Sequence, residues 1–270
     1  MRYLALLTDI TGSIETLAQG LNIYTLQGLV SSQNGFVLPT LDGQLLQIGL
    51  TGTRSVLVDL LKAELGVPFG ITTSGKNFVV TVSGYQPVHY LVEVTADGRF
   101  SPIANLSEAS GLYGAPFGVT MDRDSYVVTL STDVTESGSL LVRVSRGGKV
   151  EPIADLSQFG IPFGVIKDGE TFIVAQQQGQ LVEVNRQGKT AVLIDLVQAG
   201  LGIPFNLIKQ GTDFLVTTNA GLVVRVSRGS SPVVLVDLLK ARLGIPSGIA
   251  IQGTKLGITT NSGYLLQIPL

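Results

Sequence analysis

The 270-residue chain has no cysteine, no tryptophan, a single histidine and two methionines. Without cysteine there is no disulfide framework and no thiolate chemistry, although this leaves the compartment open. Charged residues are also scarce, 14% against the usual quarter or so. Lys and Arg number 18 and Asp and Glu 20, for a net charge of −2. No basic excess is available to neutralise a phosphate backbone, which argues against a nucleic-acid partner. No apolar run is long enough to span a bilayer, and a soluble protein is expected. The opening text, MRYLALLTDITG, carries one Arg and a short apolar run broken by Asp9, a poor match to a signal peptide.

What is abundant is glycine, 33 residues, together with β-branched side chains. That combination suggests short strands joined by tight turns, and 270 residues are enough to bury a sizeable core. A short phrase recurs: GVPFG at 66–70, GAPFG at 114–118, GIPFG at 160–164, GIPFN at 202–206 and GIPSG at 244–248. Taking its last residue as an anchor places anchors at Gly70, Gly118, Gly164, Asn206 and Gly248. A weaker sixth is Gly28. The intervals are 42, 48, 46, 42 and 42 residues.

Three further columns keep register with the anchors. Eight residues on stand Phe36, Phe78, Tyr126, Phe172, Phe214 and Leu256. Next comes an apolar third segment: LLQI, LVEV, LVRV, LVEV, VVRV, LLQI. An Asx then closes five copies, at Asp59, Asn105, Asp155, Asp195 and Asp237, where its side chain suits the start of a turn by accepting free amide hydrogens. Each copy reads as four short strands; in the fifth they lie near 206–210, 213–218, 221–226 and 231–237. Four strands in a 40–50-residue period predict an all-β protein, a six-bladed β-propeller of four antiparallel strands per blade. Its innermost strands start near 28, 70, 118, 164, 206 and 248.

The sixth copy has room for only three strands, so the N-terminus is expected to supply the fourth, a 3+1 closure of one domain over 1–270. LLTDI at 6–10 matches VLVDL at 56–60, which puts the outer strand of the sixth blade at residues 2–9. The 12–22 segment, GSIETLAQGLN, is left as an insertion, expected to hold a short helix over one face and to be separable from the fold.

At PFGIT (68–72) and PFGVT (116–120) the chain resembles the propellers of the NHL-repeat, streptogramin-lyase and gluconolactonase-like superfamily. In that group the residue before the anchor sits at the mouth of the central channel. The resemblance implies a catalytic His there in the lyases, and a metal-binding Asn or Asp in the lactonases. Here the slot holds Gln27, Phe69, Phe117, Phe163, Phe205 and Ser247, none of them a general base or a good ligand for a hard cation. No metal or other cofactor is therefore expected.

The residues left over have ordinary structural readings. His89 stands alone in a loop before a third strand, with no triad partner to assign. Asp122–Arg123–Asp124 reads as a solvated turn at the opposite end of the blade. The third-strand column Gln47, Glu93, Arg143, Glu183, Arg225 and Gln267 allows Glu–Arg pairs between neighbouring blades.

Three functions remain open. The first is a non-catalytic, monomeric propeller binding a neutral small molecule, a peptide or a protein surface. Its site would be the mouth slots with Asn206, Asn219, Asn261, Tyr85 and Tyr113, provided the Phe rings line the channel rather than pack between blades. The second is a hydrolase or lyase, for which Glu15 and Asp133 are the nearest acid–base candidates. The third is a protein-interaction scaffold.

Overall fold

A computed structural model describes residues 14–84, 88–107, 115–131 and 138–270. It contains six four-stranded antiparallel sheets arranged as a ring. The blades are numbered by their innermost strands: Val30–Ser32, Val67–Ser74, Ala115–Asp122, Pro162–Asp168, Pro204–Gln210 and Pro246–Gln252. Among the described residues there is no α-helix, only a one-turn 3-10 segment at Ser157–Phe159. Among the described residues no helix is long and apolar enough to cross a membrane.

Alternating side chains explain the ring. Both faces of each sheet are apolar, so each must be covered by a neighbouring sheet. The core accordingly lies between blades. Val37, Leu45 and Val58 of blade 1 meet Phe78, Val80 and Val92 of blade 2, and Val127 and Leu141 of blade 3 meet Phe172 and Val174 of blade 4. The column eight residues after the anchor is buried in every copy, including Tyr126 and Leu256. The Asx column caps its turns as expected: Asp59, Asp195 and Asp237 accept from the amides of Lys62, Gln198 and Lys240, each at 2.8 Å. Asn105 and Asp155 accept from Ser107 and Ser157 at 3.0 and 2.9 Å.

The sixth sheet combines the two ends of the chain. Glu15–Ala18 pairs antiparallel with Leu265–Pro269, the third strand of blade 6. The strand expected at 2–9 lies outside the described residues. The short helix expected within 12–22 is corrected: among the described residues of that segment, Glu15–Ala18 is the closing strand. A helix would leave the edge amides and carbonyls of Leu265–Pro269 unpaired, whereas an added strand satisfies them. The segment is not separable either, because Ala18, Leu21 and Ile23 are buried with Leu38, Ile48 and Leu265.

Candidate functional site at the channel mouth

The recurring phrase is a β-bulge. In blades 2 to 6 the pairing of inner and second strands shifts register across the slot residue and the anchor, as between Pro116 and Val119. A bulge frees backbone groups that need new partners. In blades 2, 3, 5 and 6 a threonine eleven residues after the anchor supplies one; blade 4 has Ala175 there. The amide of Gly118 donates to Thr129 Oγ1 at 2.7 Å, and that hydroxyl donates onward to the carbonyl of Phe163 in the next blade, also at 2.7 Å. Thr81 repeats this between Gly70 and Phe117, and Thr217 between Asn206 and Ser247. Gly28 N donates to Phe69 O at 2.9 Å, and Ser247 Oγ to Gln27 O at 2.8 Å. Hydrogen bonds to the slot carbonyls thus join five of the six junctions. Glycine is required where the strands approach: a Cβ on Gly70 would stand 2.0 Å from the Phe117 carbonyl oxygen.

The slot side chains form an arc around the mouth. Phe69 meets Phe117 edge-on at 6.1 Å between ring centroids. Phe117 meets Phe163, and Phe163 meets Phe205, each at 5.8 Å. Such edge-to-face pairs are favourable beyond their buried area. The arc spans blades 2 to 5, and Gln27 and Ser247 complete the circle. Gln27 is fully buried, accepting from Tyr24 N at 2.7 Å and donating from Nε2 to Pro68 O at 3.2 Å. Leu26, from the connection into blade 1, packs with Phe117 and Phe205 against the buried cluster around Phe163, so it reaches across the mouth to blades 4 and 5.

Behind this arc the channel encloses a cavity of about 140 Å³ lined by anchors and the residues that follow them. Asn206 lines that cavity, and its Nδ2 donates to Gln27 O at 3.5 Å. The phenyl rings do not line it. Asn219 and Asn261 are exposed, and their Oδ1 atoms accept from Ile203 N at 2.7 Å and Ile245 N at 2.8 Å, bracing the strand entrances. Tyr85, Tyr113 and Asp133 lie outside the described residues.

Other sequence candidates lie elsewhere. His89 is not in a loop but opens the third strand of blade 2, His89–Val94. It is buried, Nδ1 sits 3.3 Å from Ser83 Oγ, and desolvation lowers its pKa. Glu15 is on the closing strand, paired with Lys255 at 2.7 Å. Asp122 is not part of a solvated turn. It is 2% exposed and receives two 2.8 Å bonds from the Arg186 guanidinium and one 2.9 Å contact from Lys167. The Arg186 bonds, with Lys167, hold its carboxyl far below the usual range. The Glu–Arg pairs expected within the third-strand column do not form; Arg143 turns to Asp122, Glu183 to Arg228 and Arg225 to Asp213. Among the described residues no group of three or more His, Asp or Glu is placed to hold a metal ion.

Two columns escaped the sequence reading. The threonines, Thr81, Thr129, Thr217 and Thr259, recur at a constant offset that was open to inspection. The arginines after the third strand, Arg146, Arg186 and Arg228, lie over the rings of Tyr126, Phe172 and Phe214 at 5.6 to 6.0 Å and reach back to the preceding blade.

The protein is a six-bladed β-propeller. No protein-family model and no curated protein matches the chain in sequence. Solved structures do match it in shape. A chain of the nidogen/laminin complex shares 17% identity at a TM-score of 0.66, covering 83% of each chain. A catalytically inactive virginiamycin B lyase from Staphylococcus aureus, solved with quinupristin, shares 14% identity at 0.66, covering 92% of this chain and 82% of that one. A glucose dehydrogenase-like protein from Thermus thermophilus shares 12% identity at 0.69, covering 96% of this chain and all of that one. Identities this low establish a common fold, and the fold serves binding proteins and enzymes alike.

Proposed function

We propose that this is a non-catalytic binding propeller, acting as a single chain, whose mouth face receives a neutral small molecule, a peptide or a protein surface. The observation that carries this reading is the arc at the mouth. Four slots hold phenyl rings packed on one another, and the other two hold an amide and a hydroxyl engaged with backbone. Around it the connections expose Tyr24, Leu41, Val197 and Leu239, side chains 38 to 51% accessible, beside the charged Asp42, Lys62, Glu64, Lys240 and Arg242. Apolar surface with sparse neutral hydrogen-bonding groups favours neutral ligands. If a small ligand enters, Asn206 is the group that meets it behind the rings.

A chemical-shift screen with neutral fragments and short apolar peptides tests this. Hits should perturb Tyr24, Leu26 and Asn206, and Tyr24→Ala should weaken them. Millimolar calcium or magnesium should leave the melting temperature unchanged, because only binding to the native state raises it. Turnover of a lactone or of a streptogramin, lost on mutating Gln27 or Asn206, overturns the reading in favour of an enzyme.

A further inference from the structure

One blade leaves its third-strand position unpaired. Glu93 accepts from Asn77 at 3.1 Å, Arg143 and Arg225 face Asp122 and Asp213, Glu183 binds Arg228, and Gln267 accepts from Lys255 at 3.3 Å. The Gln47 side chain in blade 1 bonds to nothing among the described residues. The cause is in the neighbour. Arg228 reaches back from blade 5 to Glu183, and blade 2 carries Ala96 at the corresponding position. Among the described residues no side chain arrives from blade 2, and a groove of about 400 Å³ remains on blade 1.

The groove has a definite chemistry. Asn34, Gln47, Thr51, Thr53 and Ser55 line it, and none of these side chains makes a hydrogen bond among the described residues. Each offers neutral donor or acceptor capacity. The one charged lining residue, Arg54, is engaged, donating from its guanidinium to Gln19 O. Leu50, 53% exposed, adds a hydrocarbon patch. The hairpin bearing Leu50 and Thr53 is fastened to the closing strand: Gly52 lies against the carbonyl of Leu17, and Arg54 is tied just beyond that strand. The ring closure therefore holds one wall of the groove in place.

We propose that this groove binds a neutral carbohydrate, one or two sugar rings in size. Vicinal hydroxyls both donate and accept, which suits amide and hydroxyl side chains, while a sugar's C–H face suits Leu50. A charged ligand finds no free counter-charge here. The volume is at the lower end of the roughly 300–1,000 Å³ of small-molecule sites, enough for a ligand of this size. The site is at the opposite end of blade 1 from the channel mouth and stands whether or not the mouth binds anything.

The test is saturation-transfer NMR on the whole protein with maltose, cellobiose, lactose and diacetylchitobiose, each up to about 50 mM, well above the millimolar Kd expected of such a small contact. At least one should give a saturable signal. Gln47→Ala should weaken it about tenfold, equivalent to losing one good hydrogen-bonding group. Gly49→Ala should do the same without cutting any of these polar groups, because the new methyl would stand 2.4 Å from Thr53 Oγ1 and displace it. Tyr24→Ala, at the mouth, should leave the signal unchanged, which separates this site from the other. The proposal is overturned if no sugar gives a saturable signal, if Gln47→Ala and Gly49→Ala bind like the wild type, or if only glucuronate or sulfate binds and Arg54→Gln abolishes it.

Discussion

The two ends of the channel are joined by different physics. At the mouth the blades are linked by neutral contacts: threonine hydroxyls bonded to slot carbonyls, and four phenyl rings in edge contact. At the far end blades 3, 4 and 5 are linked by charge. Arg186 crosses to Asp122, while Arg228 crosses to Asp168 and Glu183; Lys167 and Lys209 add to the same carboxylates. Neutral contacts respond little to pH or salt. An ionic lattice fixes the spacing of the blades and is sensitive to acid.

The largest expected effect comes from breaking the ionic end. Asp122 is buried against three cations, so Asp122→Asn leaves them facing an uncharged amide and should cost about 3 kcal/mol. Denaturant unfolding at neutral pH measures this; a change within about 0.5 kcal/mol, the scatter of ordinary surface substitutions, would show that the lattice does not hold the blades together. The pH dependence has a definite sign. Hydrogen bonds from Arg186 lower the folded pKa of Asp122, those from Lys209 lower that of Asp168, and those from Arg228 lower that of Glu183. A carboxylate with a depressed folded pKa stabilises the fold above its unfolded value, near pH 4, and that stability is lost as pH falls below it. The wild type should therefore weaken steadily from about pH 4 downwards, and Asp122→Asn should weaken less steeply over the same range.

Phe117→Ala tests the neutral end. The ring contacts aromatic partners on both sides and is half-buried, so about 2 kcal/mol should be lost, below the cost at a fully buried site. No titrating group belongs to the arc, and the loss should be equal at pH 7 and pH 5. A loss that depends on pH over this range would mean that the two ends are coupled.

The smallest effect should be a gain. Gln176 is fully buried with neither amide atom bonded, while the same position holds Leu130 in blade 3 and Val82 in blade 2. Gln176→Leu should stabilise by about 1 kcal/mol by removing an unsatisfied buried amide. A loss in thermal or denaturant unfolding would show that the amide is satisfied in solution and that the mouth-face layer of blade 4 is wet.

Repetition made the ring legible before any coordinates. An apolar face must be covered wherever it recurs, so six copies of the same alternation imply six sheets stacked side by side, and an Asx after each outer strand implies a capped turn. Both readings depend only on neighbours a few residues away. Contacts across the ring were not legible in this way. LLTDI and IETLA both alternate well enough to offer an edge strand, and the place Glu15–Ala18 takes follows from the hydrophobic pocket that receives Ala18, Leu21 and Ile23. Asp122 looks like any acidic turn residue until Arg186, 64 positions away, is folded against it. Asn219 and Asn261 look like ligand-binding amides until Ile203 and Ile245 are seen donating to them. Local alternation reports which side of a strand avoids water. Which group a polar side chain meets depends on where closure of the ring brings distant segments together, and that information exists only in three dimensions.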